Sequence, residues 1–191
     1  MPSSTDLLRT PRRVLRPGTT VEDVDAVAKA LRWPMTNVTE RDRAAGTEGR
    51  VTWEAHGAAL HYAEDAMFGI GHYALSGPRG TVRTAAARAA EALAAWTVPD
   101  LCRAVDGASD PRARGQAVLR LGLAADGYDE QVFRRVAAAL RDADARVRYA
   151  ALFAASYSGF PQFGDAFRAL AERDPEPFVR ERAALLARAA R

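Results

Sequence analysis

The chain has 191 residues, 48% apolar and 27% charged, enough to fold one large or two small domains around a core without a metal or disulfide. One cysteine, Cys102, excludes a disulfide framework, no run approaches the roughly 18 apolar residues of a membrane helix, and the N-terminus lacks an apolar signal core; a cytoplasmic protein is expected. The net charge of +3 comes from 26 arginines and one lysine interspersed with acids (12 basic and 11 acidic groups over residues 1–95, 15 and 13 in the remainder), so no strong field of one sign favours nucleic acid.

Residues 1–19 are rich in proline and arginine and read as an extended basic arm, with Arg9, Arg12, Arg13 and Arg16 as its local positive cluster. A helix is predicted from Thr20, where Thr20 and Asp23 approach a capping box and Val21, Val24, Val27 and Leu31 follow at helical spacing. Trp33-Pro34 ends it. The polar stretch from Thr36 to Arg50 reads as a long connection or ragged strand. Two strands follow, Val51 to Ala55 and Ala58 to Ala63, with His56-Gly57 as a two-residue turn. That turn sets Ala55 opposite Ala58, Trp53 opposite Leu60 and Val51 opposite Tyr62 on one face. A third strand spans about Ile70 to Ser76, expected to place Tyr73 opposite Leu60. Gly77-Pro78 stops it, and a helix runs from about Thr81 to Trp96. The first 20–96 residues of fold thus read as a small α+β domain of order α-β-β-β-α, with an antiparallel sheet covered by helices on one face.

From Thr97 onward the pattern is helical. Three pairs are predicted: Val98 to Ala104 with Pro111 to Leu121, Asp129 to Arg141 with Arg146 to Ser156, and Pro161 to Glu172 with Pro177 to Ala189. A short phrase opens the second helix of each pair. It reads Asp110-Pro111-Arg112-Ala113-Arg114, Asp144-Ala145-Arg146-Val147-Arg148 and Glu176-Pro177-Phe178-Val179-Arg180. The three final arginines lie 34 and then 32 residues apart, a period typical of stacked helical hairpins. Aligned on them, Ala117, Ala151 and Ala183 coincide, as do Leu119, Phe153 and Leu185. This pattern resembles HEAT repeats, and the short period is similar to the bacterial HEAT-like repeats also found in phycobilin-lyase proteins. The resemblance covers the 97–191 half of the chain. It implies a solenoid of about three helical pairs, with Asp110, Asp144, Glu176, Arg114, Arg148 and Arg180 in a structural ladder between repeats. Gly115 and Ala113 make the first copy depart from the pattern, as an edge repeat does. The Trp, Leu-Gly and Tyr positions of the tetratricopeptide repeat do not recur.

Chemistry-bearing motifs are few. His61, His72 and Glu54 fall on the sheet face opposite Trp53 and are the one set that could hold a metal, but no ligand spacing such as H-E-x-x-H accompanies them, and they are read as an exposed polar face instead. Cys102 lies in an apolar helical segment and reads as a small core residue. Gly77-Pro78-Arg79-Gly80-Thr81 lacks the lysine and spacing of a phosphate loop. No cofactor is expected. Two features instead point to a partner surface: the arginine stripe Arg112, Gln116 and Arg120, continued by Arg146 and Arg182, and the aromatics around Gly159, of which Tyr157 and Phe160 are expected outside and Phe153, Phe163 and Phe167 inside. The resulting expectation is a non-enzymatic adaptor, inhibitor or immunity-type binder of another protein. A nucleic-acid binder using the arginine-lined groove is the alternative, and a lyase rests on the repeat resemblance alone.

Overall fold

The computed structural model describes residues 6–189. The chain divides between Trp96 and Thr97 into two compact units, one mixed α and β and one of helices. Among the described residues no helix is long and apolar enough to cross a membrane.

The first unit comprises β1 (Leu7–Arg9), β2 (Arg13–Val14), α1 (Val21–Ala30), β3 (Met35–Thr39), β4 (Gly49–Ala55), β5 (Ala58–Glu64), β6 (Gly71–Pro78) and α2 (Arg79–Ala92). Its antiparallel sheet has the order β1-β6-β5-β4-β3, and β2 also pairs with β6. The β4–β5 hairpin has the expected register, with Trp53 opposite Leu60 and Val51 opposite Tyr62. His56 and Gly57 both take positive φ, the backbone that a two-residue hairpin turn demands. The next pairing slips by two residues: Leu60 faces Leu75, not Tyr73. The connecting loop closes where the Asp65 N–H meets the Ile70 carbonyl at 3.2 Å, which sets Glu64 opposite Gly71, and a slip of two preserves the face. Trp53, Leu60, Tyr73 and Leu75 therefore still form one apolar surface, buried beneath Val24 and Ala28 of α1 and Val82, Ala85 and Ala89 of α2. The alanines of α2 keep its buried side short. Thr20 and Asp23 complete the capping box of α1.

The polar stretch, expected as a long connection or ragged strand, carries an exposed edge strand, β3, whose pairing with β4 is irregular between Met35 and Asn37. One sequence expectation changes. Of the segment expected as an arm over residues 1–19, residues 1–5 lie outside the described residues, and from Leu7 onward the chain is part of the fold. Thr10 donates its N–H to the Leu75 carbonyl at 2.8 Å and accepts from the Leu75 N–H through its hydroxyl at 2.9 Å. Val14 and Leu15 are buried, and the Trp96 N–H reaches the Val14 carbonyl at 2.7 Å. The Arg16 guanidinium lies 3.7 Å from the Trp96 ring centroid. Two apolar residues amid the arginines anchor the segment, and the charges fan outward.

The second unit contains α3 (Val98–Asp106), α4 (Pro111–Ala124), α5 (Glu130–Ala139), α6 (Ala145–Ser158), a 3₁₀ turn over Pro161–Phe163, α7 (Gly164–Arg173) and α8 (Pro177–Ala189). Thr97, Asp110, Asp129 and Asp144 cap the first four through side-chain oxygens that accept backbone N–H bonds. Pro111 and Pro177 each occupy the first helical position, where the missing N–H costs nothing. The helices pack α3 on α4, α4 on α6, α6 on α8 and α7 on α8, with α5 against α4 and α6. Helices α4 and α6 approach almost backbone to backbone. A Cβ added at Gly122 would stand 2.3 Å from the Ala154 carbonyl oxygen, and one at Gly115 would touch the Ala150 Cβ at 3.5 Å. Gly122 is thus the residue that permits this close contact, whereas a Cβ at Gly115 would fit at ordinary van der Waals distance.

Candidate partner-binding surface

Arg114, Arg148 and Arg180 each occupy the fourth position of α4, α6 and α8. Their acid partners are not the ones the resemblance implied. Arg114 donates from Nε to Asp142 at 2.9 Å, and Arg148 grips Asp174 with Nε at 2.7 Å and Nη2 at 2.9 Å. Asp110 and Asp144 cap their own helices instead. Asp142 and Asp174 lie before the next helix of the row and reach back to the preceding arginine. Arg148 also donates to the Asp142 and Ala143 carbonyls, and Arg180 repeats this with the Asp174 and Pro175 carbonyls. The Arg148–Asp174 pair is enclosed, with side chains 10% and 1% exposed. The hydrogen bond to Asp174 raises the Arg148 pKa, and the same bond, against burial, lowers that of Asp174. Arg114 and Arg148 tie one hairpin to the next, and Arg180 braces the turn before its own helix.

What remains outside is a face of α4, α6 and α8. Arg112, Gln116 and Arg146 are exposed, and Arg120 is half-buried, its pKa lowered by that desolvation. The stripe is interrupted on α6, because the positions equivalent to Gln116 and Arg120 are Ala150 and Ala154, both buried against α4. Beyond the interruption the character turns aromatic. Tyr149 meets Phe153 at 5.2 Å and Phe178 at 5.3 Å between ring centroids, both edge-on. Tyr157 continues the row, 6.2 Å from Phe153. Arg182 lays its guanidinium 3.9 Å above the Phe153 ring, so the ring is buried under a cation. The Arg182 Nε is buried with no hydrogen-bond partner among the described residues. Phe178 and Leu185 stand 41% and 53% exposed beside it. The surface thus combines edge-to-face aromatics, an arginine fixed by one of them and two open apolar side chains, the composition that concentrates binding energy in protein interfaces.

Several expected residues lie elsewhere. Phe160 is buried, not exposed: Gly159 takes φ of 67°, and the reversal sends Phe160 inward against Tyr128 and Phe163. Phe163 and Phe167 are buried with it. Cys102 is buried, and burial raises its thiol pKa, the opposite of an activated nucleophile. His61, His72 and Glu54 do not converge. Both ring nitrogens of His61 are engaged, by Thr52 at 3.3 Å and Ser76 at 2.7 Å, and Glu54 accepts from the Gly57 N–H. Among the described residues no three His, Cys, Asp or Glu side chains gather as metal ligands.

Sequence reasoning missed Tyr149, Phe178 and Leu185. The signal for Phe178 was present: it replaces the arginine that Arg112 and Arg146 supply at the same place in the repeated phrase. No protein-family model, no curated protein and no solved structure matches the chain.

Proposed function

We propose that the chain is a non-enzymatic protein-binding adaptor of the cytoplasm, whose second unit is a short HEAT-like solenoid that grips a partner through the α4, α6 and α8 face. The exposed Phe178 and Leu185 beside Arg182 carry this reading. A partner that covers them removes apolar surface from water at about 25 cal/mol per Å². Arg112, Gln116 and Arg146 form the polar rim, which steers and orients more than it holds. The repeated arginine position and the Arg114–Asp142 and Arg148–Asp174 pairs support the solenoid reading, because each pair joins one helical hairpin to the next.

The duplex-binding alternative fares worse on the same geometry. Of the arginines expected to line that groove, Arg120 is half-buried and Arg182 lies flat on an aromatic ring. Fluorescence anisotropy with a labelled duplex at low salt tests it, since phosphate binding would weaken steeply as salt rises. The adaptor reading is tested by affinity capture with the wild-type chain, Arg146→Glu with Arg182→Glu, and Phe178→Ala with Leu185→Ala. A stoichiometric protein retained by wild type and lost with both pairs is expected. A capture profile identical for all three chains would rule this face out.

A further inference from the structure

We infer that the open face of the first unit's sheet is a binding site for a small-molecule phosphate monoester. This face lies opposite Trp53 and carries a hollow of about 480 Å³. The hollow exists because alanines hold the centre of the floor. Ala63 pairs with His72 and Ala74 with His61, and neither fills the space between the longer side chains around it. Three arginines from three different segments stand on its rim: Arg9 on β1, Arg12 in the β1–β2 link and Arg50 on β4. Glu48 is the one acid in the lining, and it is held by Arg50 through Nε at 3.2 Å and Nη2 at 2.8 Å, both to the same carboxylate oxygen. The lining therefore carries a net positive charge of about two with its histidines neutral.

The floor supplies a donor suited to an oxyanion. Thr52, His61 and Ser76 form a chain across β4, β5 and β6, with the imidazole between two hydroxyls. A neutral imidazole has one donor and one acceptor nitrogen. One hydroxyl must then give its hydrogen to the ring, and the other receives the ring N–H. The second hydroxyl keeps its own hydrogen free to point into the hollow, whichever tautomer His61 adopts. Burial, Arg9 and Arg50 all disfavour the charged ring, so this arrangement is the resting one. A phosphate seated here meets guanidinium forks from the rim and a hydroxyl from below. The hollow falls within the roughly 300–1,000 Å³ of small-molecule sites and exceeds what a bare phosphate fills, which leaves space for an organic portion. This site is independent of the partner surface on the second unit.

The test is a titration of the isotopically labelled full chain followed by amide NMR shifts, with ribose 5-phosphate, ribose, inorganic phosphate and tetraglutamate as probes. Ribose 5-phosphate is expected to shift the amides of Thr52, His61 and Ser76, and ribose to leave them unmoved. Arg9→Gln should weaken the binding about tenfold, the effect of losing one charge-assisted contact. Glu48→Gln should strengthen it several-fold, a change that damaged folding would not produce. No shift with ribose 5-phosphate at about 10 mM, far weaker than a working site, would overturn the inference. So would an affinity untouched by Arg9→Gln. Equal binding of inorganic phosphate would refute the organic portion, and preferential binding of tetraglutamate would reassign the site to acidic peptides.

Discussion

Asp174→Ala is the sharpest perturbation of the helical unit. The Asp174 carboxylate is 1% exposed and accepts three hydrogen bonds: Arg148 Nε at 2.7 Å, Arg148 Nη2 at 2.9 Å and the Glu176 N–H at 3.0 Å. Its removal leaves the Arg148 guanidinium, itself 10% exposed, buried with no counter-charge from that side. Breaking a buried pair from one end costs about 3–5 kcal/mol. In a unit of about a hundred residues each kcal/mol moves the thermal midpoint by about 4–8 °C, so a fall of at least about 12 °C is expected. Asp142→Ala provides the internal standard. Arg114 and Asp142 are 31% and 15% exposed, so water screens them and the cost falls between the surface and buried limits, about 1–3 kcal/mol. Far-UV circular dichroism follows the helices, while Trp33, Trp53 and Trp96 all lie in the first unit and report on it separately by emission. A loss below about 1 kcal/mol for Asp174→Ala, the level of a surface pair, would refute the reasoning. So would a larger loss at Asp142.

Acid should attack the same contacts. Arg148 holds the Asp174 pKa below its ordinary 3.8, and the Asp144 N–H and Arg114 do so for Asp142 against its burial. Carboxylates depressed by folding contribute stability that is full above their unfolded pKa of about 3.9 and lost as pH falls through the folded value. Helical signal should therefore hold to about pH 4 and decline below it, and Asp174→Asn should flatten that decline in an acid titration by circular dichroism. Gly122→Ala should destabilise by about 1–3 kcal/mol in a denaturant melt, because its Cβ would collide with the Ala154 carbonyl, whereas Gly80→Ala, with nothing within 4 Å, should leave the midpoint in place or raise it. Arg182→Ala should cost no more than about 1–2 kcal/mol, the worth of a partly desolvated cation–π contact, while abolishing capture of the partner; a stability loss that accounts for the missing capture would count against a binding role.

The elements of the fold that sequence made visible are those carried by a repeated or alternating pattern. The arginine phrase recurs at one helical position because each hairpin solves the same packing problem, and the β4–β5 register follows from the two-residue turn. The ladder was legible only by half. Asp142-Ala143-Asp144 offers two acids, and local capping rules select Asp144 as cap, as the structure has it. Which acid reaches the preceding arginine depends on how the hairpins stack, and no local rule contains that. Strands of two and three residues such as β1 and β2 are too short to show a period, and the prolines beside them mask their pairing. Phe160 turned inward on a single left-handed glycine. The exposed row at Tyr149, Phe178 and Leu185 was hidden because the same residue types at helical spacing serve equally well as core.

Site-specific photocrosslinking in the native host measures the proposed role most directly. Benzoylphenylalanine in place of Gln116 or Leu185 samples the α4, α6 and α8 face, and in place of Arg134 or Arg168 samples exposed positions on α5 and α7. One discrete protein adduct is expected from the first two positions and none from the others. Adducts of equal yield at all four positions, or adducts confined to Arg134 and Arg168, would contradict the proposed role.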